Sequence, residues 1–253
     1  MPCRHHIWAV IVLLTSCASL FDRQTDFERG LTAYQNGQFR EAATYFGSYH
    51  KKHPQSDSSL YYLFNCYSKL DDPDNQILTL EMLVNRDIKD LNVYLNLIVL
   101  CRKHANYDRL YATLLRVPQP LANDIDTRLI LTRRLLAELI SGASRQKLKT
   151  DPMVFCVSRD YLPLFPDGKV YAEDTLNLAN LIVLLDRFID PLYPRDLSPM
   201  KNISTKSYLY LPYMRLVNIG VMKLDPYLEP DRRASALVAA KALDVLATKG
   251  YID

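Results

Sequence analysis

The chain has 253 residues, and 31 basic against 28 acidic side chains leave a formal charge of +3. With 49% hydrophobic and 23% charged residues, that balance excludes a polybasic nucleic-acid tail and a disordered acidic chain, and describes a folded protein of one large or two ordinary domains. Its seven glycines, at 30, 37, 47, 142, 168, 220 and 250, are never closer than seven positions, whereas dinucleotide and P-loop phosphate cradles need glycines only a few positions apart.

Residues 1–16 read as a secretory signal. One firm positive charge, Arg4, precedes the apolar run from Ile7 to Leu14, which is shorter than the roughly 20 residues a bilayer-spanning helix needs. The stretch Leu14-Thr15-Ser16-Cys17 resembles the lipobox of bacterial lipoproteins: a branched aliphatic, two small residues beside the scissile bond, then a cysteine whose thiol takes the lipid. That resemblance implies an exported chain beginning at an acylated Cys17, with 17–22 as its linker, anchored to a bacterial membrane at the periplasmic face of the outer membrane. Several acyl chains hold far more firmly than one, at about 0.8 kcal/mol per buried CH₂. Three cysteines then remain, Cys66, Cys101 and Cys156. The odd number, with no Cys-x-x-Cys or Cys/His spacing, reads as buried small hydrophobes with at most one bridge and no metal site.

A 34-residue period follows. Stepping by 34 aligns Gly30, Phe64 and Ile98; Ala33, Tyr67 and Cys101; Gly37, Asp71 and Ala105; Phe46, Leu80 and Leu114, mostly small or apolar columns. The first unit, Gly30-x-x-Ala33-x-x-x-Gly37-x-Phe39-x-x-Ala42-x-x-x-Phe46-x-x-Tyr49 with Pro54 beyond it, resembles the tetratricopeptide repeat (TPR). Gly30 and Ala33 lie one turn apart and make a shallow seat for Phe39 and Phe46 of the second helix. In the second unit Asp72 suits an N-cap and Pro73 the first helical position. The predicted TPR-like region is 23–119.

The TPR resemblance implies an array whose inner face is lined by the first helix of each hairpin. Its groove positions fall on Phe27, Leu31 and Tyr34, then Tyr61, Asn65 and Lys69, then Leu95, Val99, Arg102 and Lys103. Lys69, Arg102 and Lys103 favour a carboxylate or an acidic segment of a protein partner. All three also sit near helix C-termini, where the macrodipole favours positive charge with or without a ligand. The full carboxylate-clamp pattern of some eukaryotic repeats is not present.

Ile125 to Leu148 has helical period, with Leu129, Leu131, Leu135, Leu136, Leu139 and Ile140 on one side and several arginines on the other. It reads as the helix capping the array, within a connecting region 120–150. Lys149-Thr150-Asp151-Pro152 breaks the pattern and marks a boundary, with 151–253 beyond it. There, Leu164-Phe165-Pro166-Asp167-Gly168-Lys169-Val170, with a helix over 174–189, resembles the second half of an S-layer homology (SLH) repeat. Residues 208–248 resemble a fuller unit, with Gly220 as helix stop and Pro230 opening the next helix. The anionic-glycan motif Thr-Arg-Ala-Glu of that family is replaced by Asn177-Leu178-Ala179-Asn180 and Ser235-Ala236-Leu237-Val238, so a structural helical module is favoured over a sugar-binding one.

No catalytic set emerges. His50 and His53 share a helix face in a Lys-Lys setting and read as solvated, and Asp71-Asp72-Pro73-Asp74 reads as capping before calcium. The expectation is therefore an all-α protein, without enzyme activity, cofactor, metal or nucleic-acid partner. Its TPR-type array and SLH-like module would hold a protein partner at the envelope. Two alternatives stay open. One is a TPR lipoprotein of outer-membrane assembly or cell division, which Tyr49-x-x-x-x-Pro54-x-Ser56 resembles. The other is a binder of envelope glycan or a small ligand.

Overall fold

The computed structural model describes residues 25–144, 150–189, 194 and 197–252. The signal, Cys17 and the linker lie outside the described residues. Among the described residues the fold is all-α: helices are joined by turns, with isolated bridges in place of strands. The chain forms two compact units that divide at Leu83/Val84. That division falls within the 23–119 region.

The first unit holds α1 (Asp26–Gln35), α2 (Phe39–Lys52), α3 (Asp57–Lys69) and nearly all of α4 (Pro73–Val84). Thr25 and Glu28 close a capping box on α1: the Glu28 N–H donates to Thr25 Oγ1 at 3.2 Å and the Thr25 N–H to Glu28 Oε2 at 2.7 Å. Lys52 at the end of α2 reaches Asp26 at 2.6 Å, holding that carboxyl below its usual range. Phe46 is fully buried, and a Cβ on Gly30 would come within 2.8 Å of its ring, so the glycine is what lets α2 press against α1. Phe39 instead lies half-buried against Tyr34. Asp72 accepts the Asn75 N–H at 3.1 Å and caps the start of α4.

The 34-residue period has a backbone counterpart. Gly37 (φ +75°), Asp71 (+52°) and Ala105 (+54°) all adopt the left-handed conformation in the hairpin turns. The next residue in each case donates its N–H back to the preceding helix: Gln38 to Ala33, Asp72 to Tyr67, Asn106 to Cys101, at 2.8–3.0 Å. Donors and acceptors alike are spaced by 34. This turn closes off the last carbonyls of a helix, and only its first copy uses the residue that takes the conformation at no steric cost.

The second unit begins with the hairpin α5 (Leu91–Lys103) and α6 (Tyr107–Leu115), followed by α7 (Gln119–Arg128) and α8 (Arg133–Ala143). The expected single helix from 125 to 148 is therefore two, because Leu129 to Thr132 leave the helix to make backbone pairings elsewhere. Beyond lie α9 (Pro152–Ser158), α10 (Leu178–Asp186), α11 (Tyr210–Asn218) and α12 (Ala236–Thr248).

Three short extended segments organise this unit. Ile130 bridges Ser235, Thr132 bridges Thr175, and Asn177 bridges Arg233, all antiparallel. Each segment thus pairs with both others, and the three close into a ring. Each also carries one local pattern, a buried apolar residue, then a capping residue, then a helix: Leu131-Thr132 before α8, Leu176-Asn177 before α10, Ala234-Ser235 before α12. The caps accept helix N–H groups at 3.2, 2.8 and 3.0 Å. Helix α8 is therefore one of three equivalent ring helices. The α10 and α12 helices start later than their sequence pattern suggests because the residues before them are held in the ring.

The α5–α6 hairpin docks on these ring helices. Gly142 of α8 lies so close to α6 that a Cβ there would sit 2.1 Å from the Tyr107 carbonyl oxygen, and Tyr111 donates to Asp244 of α12 at 3.1 Å. Arg215 of α11 pairs with Asp186 at the end of α10, its Nε 2.7 Å from Oδ1.

Candidate functional site

The expected groove residues lie on α1, α3 and α5, and the structure sorts them by availability. Phe27 is built into an aromatic cluster, its ring 5.4 Å from Phe46, 5.1 Å from Tyr49 and 5.6 Å from Tyr62. Tyr34 packs on Phe39 and Tyr62, and Leu31 is half-buried. These three serve packing first. On α3, Tyr61 is half-buried while Asn65 and Lys69 are exposed. On α5, Leu95 is half-buried, Val99 is 61% exposed and Lys103 is exposed.

Arg102 departs from its expected role. Its Nε donates to Glu138 Oε2 at 2.7 Å and Nη2 lies 3.4 Å from Oε1, and Glu138 is only 6% exposed. A buried carboxylate needs a partner, so this guanidinium joins α5 to α8 and is not offered to a ligand. Lys69 and Lys103 make no ion pair among the described residues. The rows Tyr61-Asn65-Lys69 and Leu95-Val99-Lys103 run along one side of their helices at steps of four.

The two histidines differ. His50 is half-buried, with Nδ1 2.9 Å from Ser59 Oγ, whereas His53 is exposed as expected, its ring tilted against Tyr49 with centres 4.3 Å apart. Cys66, Cys101 and Cys156 are buried and form no disulfide among the described residues. Burial pushes the Cys156 thiol up to about 12 and Cys66 to about 11, so neither is a ready nucleophile. Among the described residues no group of three or more His, Cys, Asp or Glu side chains could hold a metal, and no helix is long and apolar enough to cross a membrane.

Arg133 is the residue that periodicity hides. The helical period puts it among the arginines on the polar side, yet it is 5% exposed. Its Nε donates to the Val170 carbonyl at 2.8 Å and its Nη2 to the Pro163 carbonyl at 2.6 Å. The Phe165 ring lies 4.8 Å from the guanidinium. Burial pulls its pKa down, and Asp174 partly restores it. Arg133 lines a cavity of about 400 Å³ whose wall includes Asn180, Thr175, Asp174, Phe165 and Tyr208, the last 75% exposed. Its position is the first helical residue of α8, matched by Leu178 in α10 and Ala236 in α12. Only one of the three equivalent ring positions is charged. The signal that could have found it is Leu131-Thr132-Arg133, an apolar residue, a cap and an arginine.

A second cavity, of about 430 Å³, borders the start of α12, with Asn123, Thr127, Arg232 and Arg233 on its wall. Asp126 occupies the helix start there, accepting from Ser235 Oγ at 2.6 Å and from the Leu237 N–H at 3.3 Å. Compared with protein-family models, with curated proteins and with solved structures, the chain matches none.

Proposed function

We propose that this protein is a lipid-anchored scaffold of the bacterial envelope that binds a partner protein through the exposed sides of its hairpin helices. The observation that carries the reading is a pair of exposed side chains four residues apart within each unit, Asn65 with Lys69 on α3 of the first and Val99 with Lys103 on α5 of the second, at the same 34-residue sequence spacing as the hairpin turns. Both lysines are exposed and form no ion pair among the described residues, and such side chains suit an extended or helical segment bearing carboxylates. The anchor rests on Leu14-Thr15-Ser16-Cys17. Photocrosslinking residues placed at Asn65 and at Val99 test recognition: both should capture the same envelope protein from native membranes, and a crosslinker at exposed Leu78 of α4 should not. Equal capture from all three positions, or from none, removes the reading. Detergent phase partitioning tests the anchor, since Cys17→Ser should move the protein to the aqueous phase.

The Arg133 cavity favours a second reading, an acidic saccharide or other small anion as ligand of the second unit. A buried guanidinium whose hydrogen bonds go to neutral carbonyls is compensated only in part, by the Asp174 carboxylate on the same cavity wall, and Tyr208 and Phe165 offer aromatic surface beside it. Titration with galacturonate, with galactose as neutral control, checks this: binding of the first alone supports it, and binding of neither removes it.

A further inference from the structure

We propose that the loop from Pro163 to Tyr171 is a strap at the mouth of the Arg133 cavity, latched by that one side chain. The guanidinium grips both ends of the loop at once, through the Pro163 and Val170 carbonyls. Between those ends, residues 164–169 are all exposed, so the strap has no buried apolar anchor of its own. Its internal bonds close only a local turn: the Phe165 N–H donates to the Lys169 carbonyl at 2.9 Å and the Gly168 N–H to the Phe165 carbonyl at 2.8 Å. Tyr171 donates to Asp167 at 2.5 Å and lies edge-on to Phe165, with ring centres 5.0 Å apart. These contacts shape the loop without fastening it to the unit. What fastens it is the fork of Arg133 and the face of Phe165 over it.

On either side the chain is fixed, at buried Leu162 before the strap and, after it, at Ala172 and Asp174, whose carbonyls accept the Arg134 N–H at 2.7 Å and the Arg133 N–H at 3.1 Å. Such a segment can open locally while the ring stays folded, because few buried contacts resist it. Opening exposes the cavity wall at Phe165 and frees the guanidinium. The latch depends on a planar fork reaching two acceptors, which a lysine cannot reproduce. It stands whether or not an anion enters the cavity. Should the anion reading hold, the same guanidinium serves strap and ligand, so closure and binding favour each other.

Amide hydrogen exchange on the full chain, read by peptide, tests the latch. In Arg133→Met, which fills the same space with an apolar chain, peptides covering 163–171 should exchange at least about tenfold faster than in the native protein, while those of α8, α10 and α12 stay within about twofold. Arg133→Lys should show the same local loosening, and Phe165→Ala a smaller one. Unchanged exchange over 163–171 in Arg133→Met overturns the proposal. Uniform acceleration across the second unit is resolved by Phe165→Ala, which leaves the ring segments untouched: selective loosening of 163–171 there upholds the latch, and a native rate there overturns it.

Discussion

Replacing Gly142 by alanine puts the close approach of α6 and α8 under direct test. The new Cβ would lie 2.1 Å from the Tyr107 carbonyl oxygen and 2.8 Å from both the Tyr107 carbonyl carbon and Tyr111 Cβ. An ordinary carbon–oxygen contact is about 3.3–3.6 Å, so the helices must part by roughly 1 Å. The obstacle is backbone, which cannot swing aside as a side-chain tip can. Overpacking costs about 1–3 kcal/mol, and more where nothing yields, whereas alanine returns about 1 kcal/mol of helix propensity. A net loss of about 2 kcal/mol is expected, a fall of roughly 4–8 °C in the melting of a unit this size. Gly47, in α2 with nothing within 4 Å of its would-be Cβ, is the matched control: Gly47→Ala should gain about 0.5–1 kcal/mol. Circular dichroism melting of both variants decides. If Gly142→Ala melts at or above the native temperature, α6 does not lie against α8 as described.

Three further outcomes follow from the same geometry. A fragment of residues 84–253 should unfold cooperatively and one of 151–253 should not fold, because the latter lacks the Leu131-Thr132 segment that closes the ring; native-like near-ultraviolet dichroism from the shorter fragment would contradict this. Ala105→Gly should stabilise the second unit by about 1 kcal/mol, since Ala105 holds φ +54° and left-handed backbone costs a residue with a Cβ about that much; an unchanged or lower urea midpoint counts against it. Stability should fall as pH rises from about 9 toward 12, because unfolded thiols titrate near 9 while burial keeps Cys156 protonated to about 12, so the unfolded state binds fewer protons across that window. Cys156→Ala should flatten that decline in urea midpoints measured across it, and an equally steep decline would refute the assignment.

How far the sequence could be read depended on whether its signals were local. The hairpin turns were legible because Gly37, Asp71 and Ala105 recur at one spacing, and the Gly30 seat because Phe46 lies on the next helix. The ring was not, because its three segments recur at unequal intervals and use three different caps, Thr132, Asn177 and Ser235. A 24-residue apolar period then looked like one helix, although backbone pairing with 174–176 and 235 interrupts it at Leu129 to Thr132. Among the groove residues, exposed Asn65, Lys69, Val99 and Lys103 follow from helical phase. Arg102 does not, since its partner Glu138 is set by how α5 meets α8, and nothing in the spacing of either helix records that. Arg133 was hidden by the same limit: an arginine at a helix start looks exposed until the loop that wraps it is in place.

The central claim is that the exposed faces of α3 and of α5, each within its own unit, recognise the partner, and charge reversal measures it most directly. Lys69→Glu combined with Lys103→Glu alters two exposed side chains that form no ion pair among the described residues, so dichroism and melting should match the native protein. Binding of the crosslink-identified partner, measured by interferometry on the purified full chain, should weaken at least tenfold, about 1.4 kcal/mol, with the loss shrinking as salt screens the charges. An affinity equal to that of the native protein, at low salt and with the fold intact, would contradict the claim.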